Sequence, residues 1–176
     1  MKALMLKSNT KLINDMALKQ TAEQTWIQKI DVVEKWLLKR GYRLIQGNQK
    51  YIVDSVNFDL KIVLLSKRSK AENQFYSILH ECGHILNRGK GFAKKYNILV
   101  ESEEDERKQK NIRYLTQEIE EEAEAWRRGE TLAITLKLNL DSDKYHTYAS
   151  RYLRTYIVTA AKGKQYLMNK EQEKKT

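Results

Sequence analysis

The stretch FYSILHECGHILN, residues 75–87, holds two of the chain's three histidines four positions apart, with a glutamate directly after the first. Residues i and i+4 project from one face of an α-helix, so His80 and His84 can offer two imidazole nitrogens to a single point. His-Glu-x-x-His on a helix has specific mechanics in which the histidines hold zinc. Glu81, turned about 100° from His80, is badly placed as a ligand and well placed to flank the ion as a general base. Zinc lowers the pKa of bound water towards about 7, and the carboxylate takes the proton as that water attacks a polarised carbonyl. Amide hydrolysis is the chemistry such a site would perform. The pentapeptide also arises by chance on helices whose histidines are merely half-buried polar residues. Gly83 argues against chance, because a helical glycine costs about 1 kcal/mol relative to alanine and implies that another segment approaches there.

A zinc site that works on water needs a third protein ligand and an open fourth position. The acidic run QEIEEEAEAW and the remaining histidine, His146, supply the candidates. Leu115, Ile119, Glu122, Ala123 and Trp126 recur at helical spacing, which puts Glu122 on the apolar face of its helix. Glu120, Glu121 and Glu124 fall on the flanks or the polar side. An inward carboxylate needs a partner, and a metal ion is one. Glu122 is therefore the favoured third ligand, with Glu121, Glu120 and His146 as alternatives. Ala123 and Ala125 are small enough to let helices approach. Cys82 sits on the apolar stripe of the motif helix and reads as a small buried residue rather than a nucleophile. Tyr145, Tyr148, Tyr152 and Tyr156 follow 3- and 4-residue spacing, the mark of a packing face, and receive no catalytic role.

These groups must be carried by elements that the rest of the chain encodes. Trp26, Ile30, Val33 and Leu37 form a helical stripe, opened by a capping box at Thr21 and Gln24 and closed by Gly41. YRLIQ, KYIVDSV and FDLKIVLLS, with Gly47-Asn48 as a turn signal, predict an antiparallel sheet of about three strands. The last strand, around Ile62 to Leu65, is expected at an edge, where extended substrate could pair with it. Ser69 and Glu72 form a second capping box before the motif helix, whose apolar stripe is Phe75, Ile78, Cys82 and Ile85. Residues 88–111 read as a loop and a charged, solvated excursion. Helices follow at about 112–128, 130–138 and 145–168.

Length and composition set the frame. The chain has 176 residues, 41% of them hydrophobic, which suits one domain over residues 21–168, preceded by a short helix or mobile arm at 1–20 and followed by a frayed tail at 169–176. A single cysteine excludes a disulfide framework. No stretch has the length of a membrane span, and the opening MKALMLK is too short for a secretory core, so a cytoplasmic protein is expected. The net charge of +10 and pI of 9.5 raise contact with nucleic acid through a basic surface. Yet the acidic blocks ESEEDE and EIEEEAE break the field, which reads more simply as a solvated surface.

A strand, then a helix bearing His-Glu-x-Gly-His, then a later helix with EAEAW resembles the gluzincin class of zinc metallopeptidases. More narrowly, residues 50–136 look like the small ImmA/IrrE-type metallopeptidases that occur with bacterial and phage regulatory proteins. The resemblance implies an α+β zincin-like domain holding Zn2+ through His80, His84 and Glu122, with Glu81 as catalytic base. It implies a protein or peptide as substrate, a regulator among the candidates. Cys82 replaces the usual apolar residue, and WRRGETLA replaces the usual small-apolar ending. A rival reading is a basic binding module in which zinc only staples two helices. Such structural sites are usually closed by four ligands and favour cysteine.

Overall fold

The computed structural model describes residues 25–50, 52–89, 91–96 and 112–173. They fall into two compact units, Met1–Ile78 and Leu79–Thr176. The expected arm at 1–20 and the capping box at Thr21 and Gln24 lie outside the described residues, as does most of the charged excursion.

In the first unit, helix α1 covers residues 25–38 and buries Ile30, Val33 and Leu37 as its spacing requires, with Trp36 beside them. Gly41 ends it in the left-handed conformation at φ +79°. Its N–H donates to the Leu38 carbonyl at 3.0 Å and the next N–H, of Tyr42, donates to Leu37 at 3.1 Å, which is the paired closure of a glycine C-cap.

Strands β1 (Arg43–Gly47), β2 (Ser55–Asn57) and β3 (Ile62–Ser66) form one sheet in the order β1-β3-β2. The sheet is mixed, which corrects the antiparallel expectation: β1 runs parallel to β3 from Arg43↔Ile62 to Gly47↔Ser66, and only β2 is antiparallel to it. Gly47-Asn48 does not make a hairpin. The chain passes from β1 to β2 beyond the end of β3, where the Lys67 N–H donates to the Gly47 carbonyl and the Arg68 guanidinium to the Ile52 carbonyl. The same topology overturns the edge-strand expectation, since β3 is central. Asp54 Oδ1 even accepts the Ser66 N–H beyond the β2 register, at 2.7 Å. The reason is burial: Val63 and Leu65 are fully buried, and the most apolar strand gains most where both edges are covered.

Helix α2 (Ala71–Asn87) carries the motif, and the division between the units falls inside it. The Lys70 carbonyl accepts from the Gln74 N–H at 3.0 Å, so Lys70 is the N-cap and the expected Ser69–Glu72 box is one residue out of register. Glu72 instead accepts from the Tyr76 hydroxyl. Phe75, Ile78 and Cys82 are fully buried as the stripe predicts, and Ile85 is half-buried.

In the second unit a single turn of helix, α3 (Phe92–Lys95), precedes α4 (Ile112–Thr135) and α5 (Ser142–Glu173). The two segments expected at 112–128 and 130–138 are one helix. Gly129 does not break it; a Cβ there would lie 2.5 Å from the Leu79 carbonyl oxygen and 2.6 Å from the Tyr145 hydroxyl, so this glycine serves close packing. Helix α5 also extends to Glu173, past the expected start of a frayed tail. The architecture is α+β: four long helices, one short one and a three-stranded sheet among the described residues.

Candidate metal centre

Helices α2 and α4 meet at their smallest residues. A Cβ on Gly83 would overlap the carbonyl oxygen of Ala125, and Ala125 itself is fully buried. Side-chain polar bonds lock the approach. Arg128, aligned by Glu124 at 2.9 Å, donates to the Leu86 carbonyl at 3.0 Å, capping an acceptor in the last turn of α2. Asn87 Nδ2 donates to Glu121 Oε1 at 2.9 Å. The seam therefore brings the glutamates at 121 and 122 against the histidines.

Three ligand atoms converge there. The Nε2 atoms of His80 and His84 are 3.0 Å apart, Glu122 Oε2 lies 3.2 Å from His80 Nε2, and Glu122 Oε1 lies 3.7 Å from His84 Nε2. Ligands about 2.1 Å from a tetrahedral zinc stand roughly 3.4 Å from one another, so the triangle has the size such an ion requires. His80, His84 and Glu122 form the group among the described residues able to hold a metal. Their side chains are 12–14% exposed, shielded yet open to a small ligand. Two imidazoles and one carboxylate suit zinc, and three protein ligands leave a tetrahedral vertex over. The donor set fits the ion that the motif implies.

Neighbouring groups organise this triangle. His84 Nδ1 donates to Glu121 Oε1 at 2.9 Å, so its Nε2 faces inward in the orientation a metal ligand needs. Burial opposes a charge on His84, but the Glu121 hydrogen bond and the fields of Glu81, Glu121 and Glu122 outweigh it and raise its pKa to about 9. Burial likewise opposes the charge on Glu121, yet bonds from His84 and Asn87 hold its pKa below the ordinary carboxylate range. Burial depresses the pKa of His80 against its hydrogen bond to Glu122. Of the two imidazoles, His84 is therefore the one that carries the proton when no metal is bound. Glu81 is buried at 5% exposure and stands outside the ligand triangle, while its charge is felt by His84.

The alternatives for the third ligand have other partners. His146 is paired with Glu130 at 2.8 Å and is largely exposed. Glu120 is exposed, and Glu124 is held by Arg127 and Arg128. Glu121 is at the centre, on the far nitrogen of His84. Sequence spacing could place Glu121 near the site but could not distinguish a ligand from an orienter.

Two aromatic residues were not legible as site residues. Trp126 stacks on the His80 ring, with centroids 4.1 Å apart and planes inclined by 17°. Tyr156, placed on a packing face by its spacing, stands near enough to feel Glu122; burial, then the Glu122 charge, raise its pKa and keep the phenol protonated. Tyr145 and Tyr148 are buried as the packing face predicts. Cys82 is fully buried and in no disulfide, consistent with a packing role. A half-buried acid, Glu118, has its pKa raised by burial and by the charges of Glu122 and Glu121.

Compared with protein-family models, curated proteins and solved structures, the chain matches none.

Proposed function

We propose that this protein is a zinc-dependent metallopeptidase of zincin-like, gluzincin type that hydrolyses a peptide bond in an intracellular protein, a regulator being the candidate class. The observation that carries the reading is the convergence of His80 Nε2, His84 Nε2 and the Glu122 carboxylate at 3.0–3.7 Å, with a buried glutamate next in sequence to the first histidine. A zinc ion held there supplies a Lewis acid that polarises a carbonyl and acidifies water. Glu81, buried beside the first histidine, accepts the proton from the attacking water and passes it to the departing amine. Glu121 fixes the tautomer of His84. Tyr156, kept protonated, retains a hydrogen-bond donor beside the carboxylate ligand for charge that develops on a carbonyl oxygen. Three candidate ligands rather than four among the described residues, and no cysteine among them, support hydrolysis over a zinc that only staples helices. A cytoplasmic setting agrees with a chain whose one cysteine is in no disulfide. No helix among the described residues is long and apolar enough to cross a membrane.

The test is Glu81→Gln. It should retain one zinc per chain by elemental analysis and lose at least about a hundredfold in cleavage of a peptide library or of a co-expressed target, the scale of a lost general base. Undiminished cleavage removes Glu81 from the mechanism. Zinc bound at one per chain, no cleavage by the unaltered protein, and salt-dependent retention on DNA would favour the basic binding module that the net charge of +10 suggests.

A further inference from the structure

We infer that Trp126 is a positioning residue for His80, holding its ring for the metal by stacking where Nδ1 has no hydrogen bond to do so. The inference rests on the metal-centre reading above and adds to it a reason why the two histidines are supported differently. His84 is oriented through Nδ1 by Glu121. His80 Nδ1 is buried and has no hydrogen-bond partner among the described residues, so no hydrogen bond from them on that edge fixes the rotation of the ring about its Cβ–Cγ bond. The terminal torsion of histidine is broad and roughly two-fold, and a ring free to turn would move Nε2 off the triangle. The indole face, 4.1 Å away and near-parallel, supplies the missing constraint.

Trp126 is itself immobile enough to serve. It is 4% exposed, its carbonyl accepts the Tyr145 hydroxyl at 3.0 Å, and the rings of Tyr145 and Tyr148 meet it edge-on at 5.4 and 6.0 Å. It follows Ala125, whose carbonyl presses on Gly83. The indole Nε1 has no hydrogen-bond partner among the described residues, so the ring is aligned by its faces and edges. The stack also discriminates between states. An imidazole that binds a dication gains positive character, and an electron-rich indole face attracts positive charge, most strongly in desolvated surroundings. The contact is thus stronger with metal bound than without it, which raises metal affinity rather than fold stability alone.

Zinc affinity measured by competition with a chromophoric chelator should fall in the order wild type, Trp126→Phe, Trp126→Leu, by about tenfold over the series, and the visible bands of the Co2+-loaded protein should broaden in the leucine variant. Should Trp126→Leu fail to fold, Trp126→Met replaces it, and circular dichroism of each metal-free variant establishes foldedness first. A second readout uses the conservative variant alone: zinc should change the tryptophan emission of the wild type and leave that of Trp126→Phe unchanged. Equal affinities with unaltered Co2+ bands, or an equal emission change in both proteins, overturn the positioning role. Absence of zinc uptake by the wild type brings down the metal centre itself, a separate result.

Discussion

The two halves of α2 are built from opposite materials. Its first two turns bury Phe75, Ile78 and Leu79 completely and hold their place by removing apolar surface from water, at about 25 cal/mol per Å2. From His80 to Asn87 the stripe continues in Cys82 and Ile85, but two imidazoles, a carboxylate and an amide are shielded beside it. Burying such groups is unfavourable unless each finds a partner. The partners come from α4, and they reach the histidines only because Gly83 and Gly129 let the helix backbones approach. One helix thus combines an anchor that needs only hydrophobicity with a site that needs exact neighbours, and the second half is the one that a single atom can ruin.

Gly83→Ala gives the largest expected effect. The added methyl meets the Ala125 backbone rather than a flexible side chain, so the α2–α4 seam must open, at a cost of about 3 kcal/mol or more. Thermal unfolding and zinc titration should show both stability and metal uptake lost together. An alanine variant with wild-type melting and zinc affinity would show that the two helices do not approach as described.

The polar half should also respond to pH where the apolar half cannot. With the pKa of His84 raised to about 9 from an ordinary 6.5, the folded state favours its protonated form. The stability this contributes is complete below about pH 6.5 and is lost as pH rises through about 9, a change of at most about 3 kcal/mol. Melts of chelator-treated protein should therefore fall over that window. Coordination requires His84 to release its proton, so the added stability conferred by zinc should grow over the same range. A flat melting profile for the metal-free protein would break the proposed coupling between His84 and Glu121.

Glu121→Gln sharpens the comparison further by keeping the shape of the orienting side chain and removing its charge. It should weaken zinc binding by about 10- to 100-fold, the usual cost of losing an outer partner of a ligating histidine, and lower the pKa of His84. Unchanged affinity would reduce Glu121 to a bystander. The smallest effect belongs to His146→Ala. Its pair with Glu130 is largely exposed, so the change should cost under about 1 kcal/mol and leave zinc stoichiometry at one per chain; a lost metal would return His146 to the ligand set.

Particular residues show how much was legible without the fold. The i, i+4 spacing of His80 and His84 is a property of any α-helix, and the apolar stripe through Phe75, Ile78 and Cys82 ensured that one would form there. Glu122 was legible for the same reason, being flanked at helical spacing by Leu115, Ile119 and Trp126. The sheet was not. Strand propensity says which segments extend, but it carries no information on which neighbour each will pair with, and so the central position of β3 and the parallel pairing of β1 were missed. Nor did local pattern distinguish Gly129, which lies inside a helix against a neighbouring backbone, from a glycine that ends one.

The sequence by itself determined where the helices lie, their inward faces and the candidate metal-binding side chains, with neighbours of Glu122 still in contention, because those follow from periodicities of 3.6 residues and from the chemistry of single residues. Tertiary structure alone decided that Glu122 faces both Nε2 atoms while Glu121 takes the far nitrogen of His84, that Trp126 lies flat on His80, and that Tyr156 reaches the site from α5. These relations join residues up to 76 positions apart between His80 and Tyr156. Such distances in sequence are spanned only when buried surfaces choose one packing of the helices, and there a shift of one residue along α4 would exchange the ligand for its neighbour.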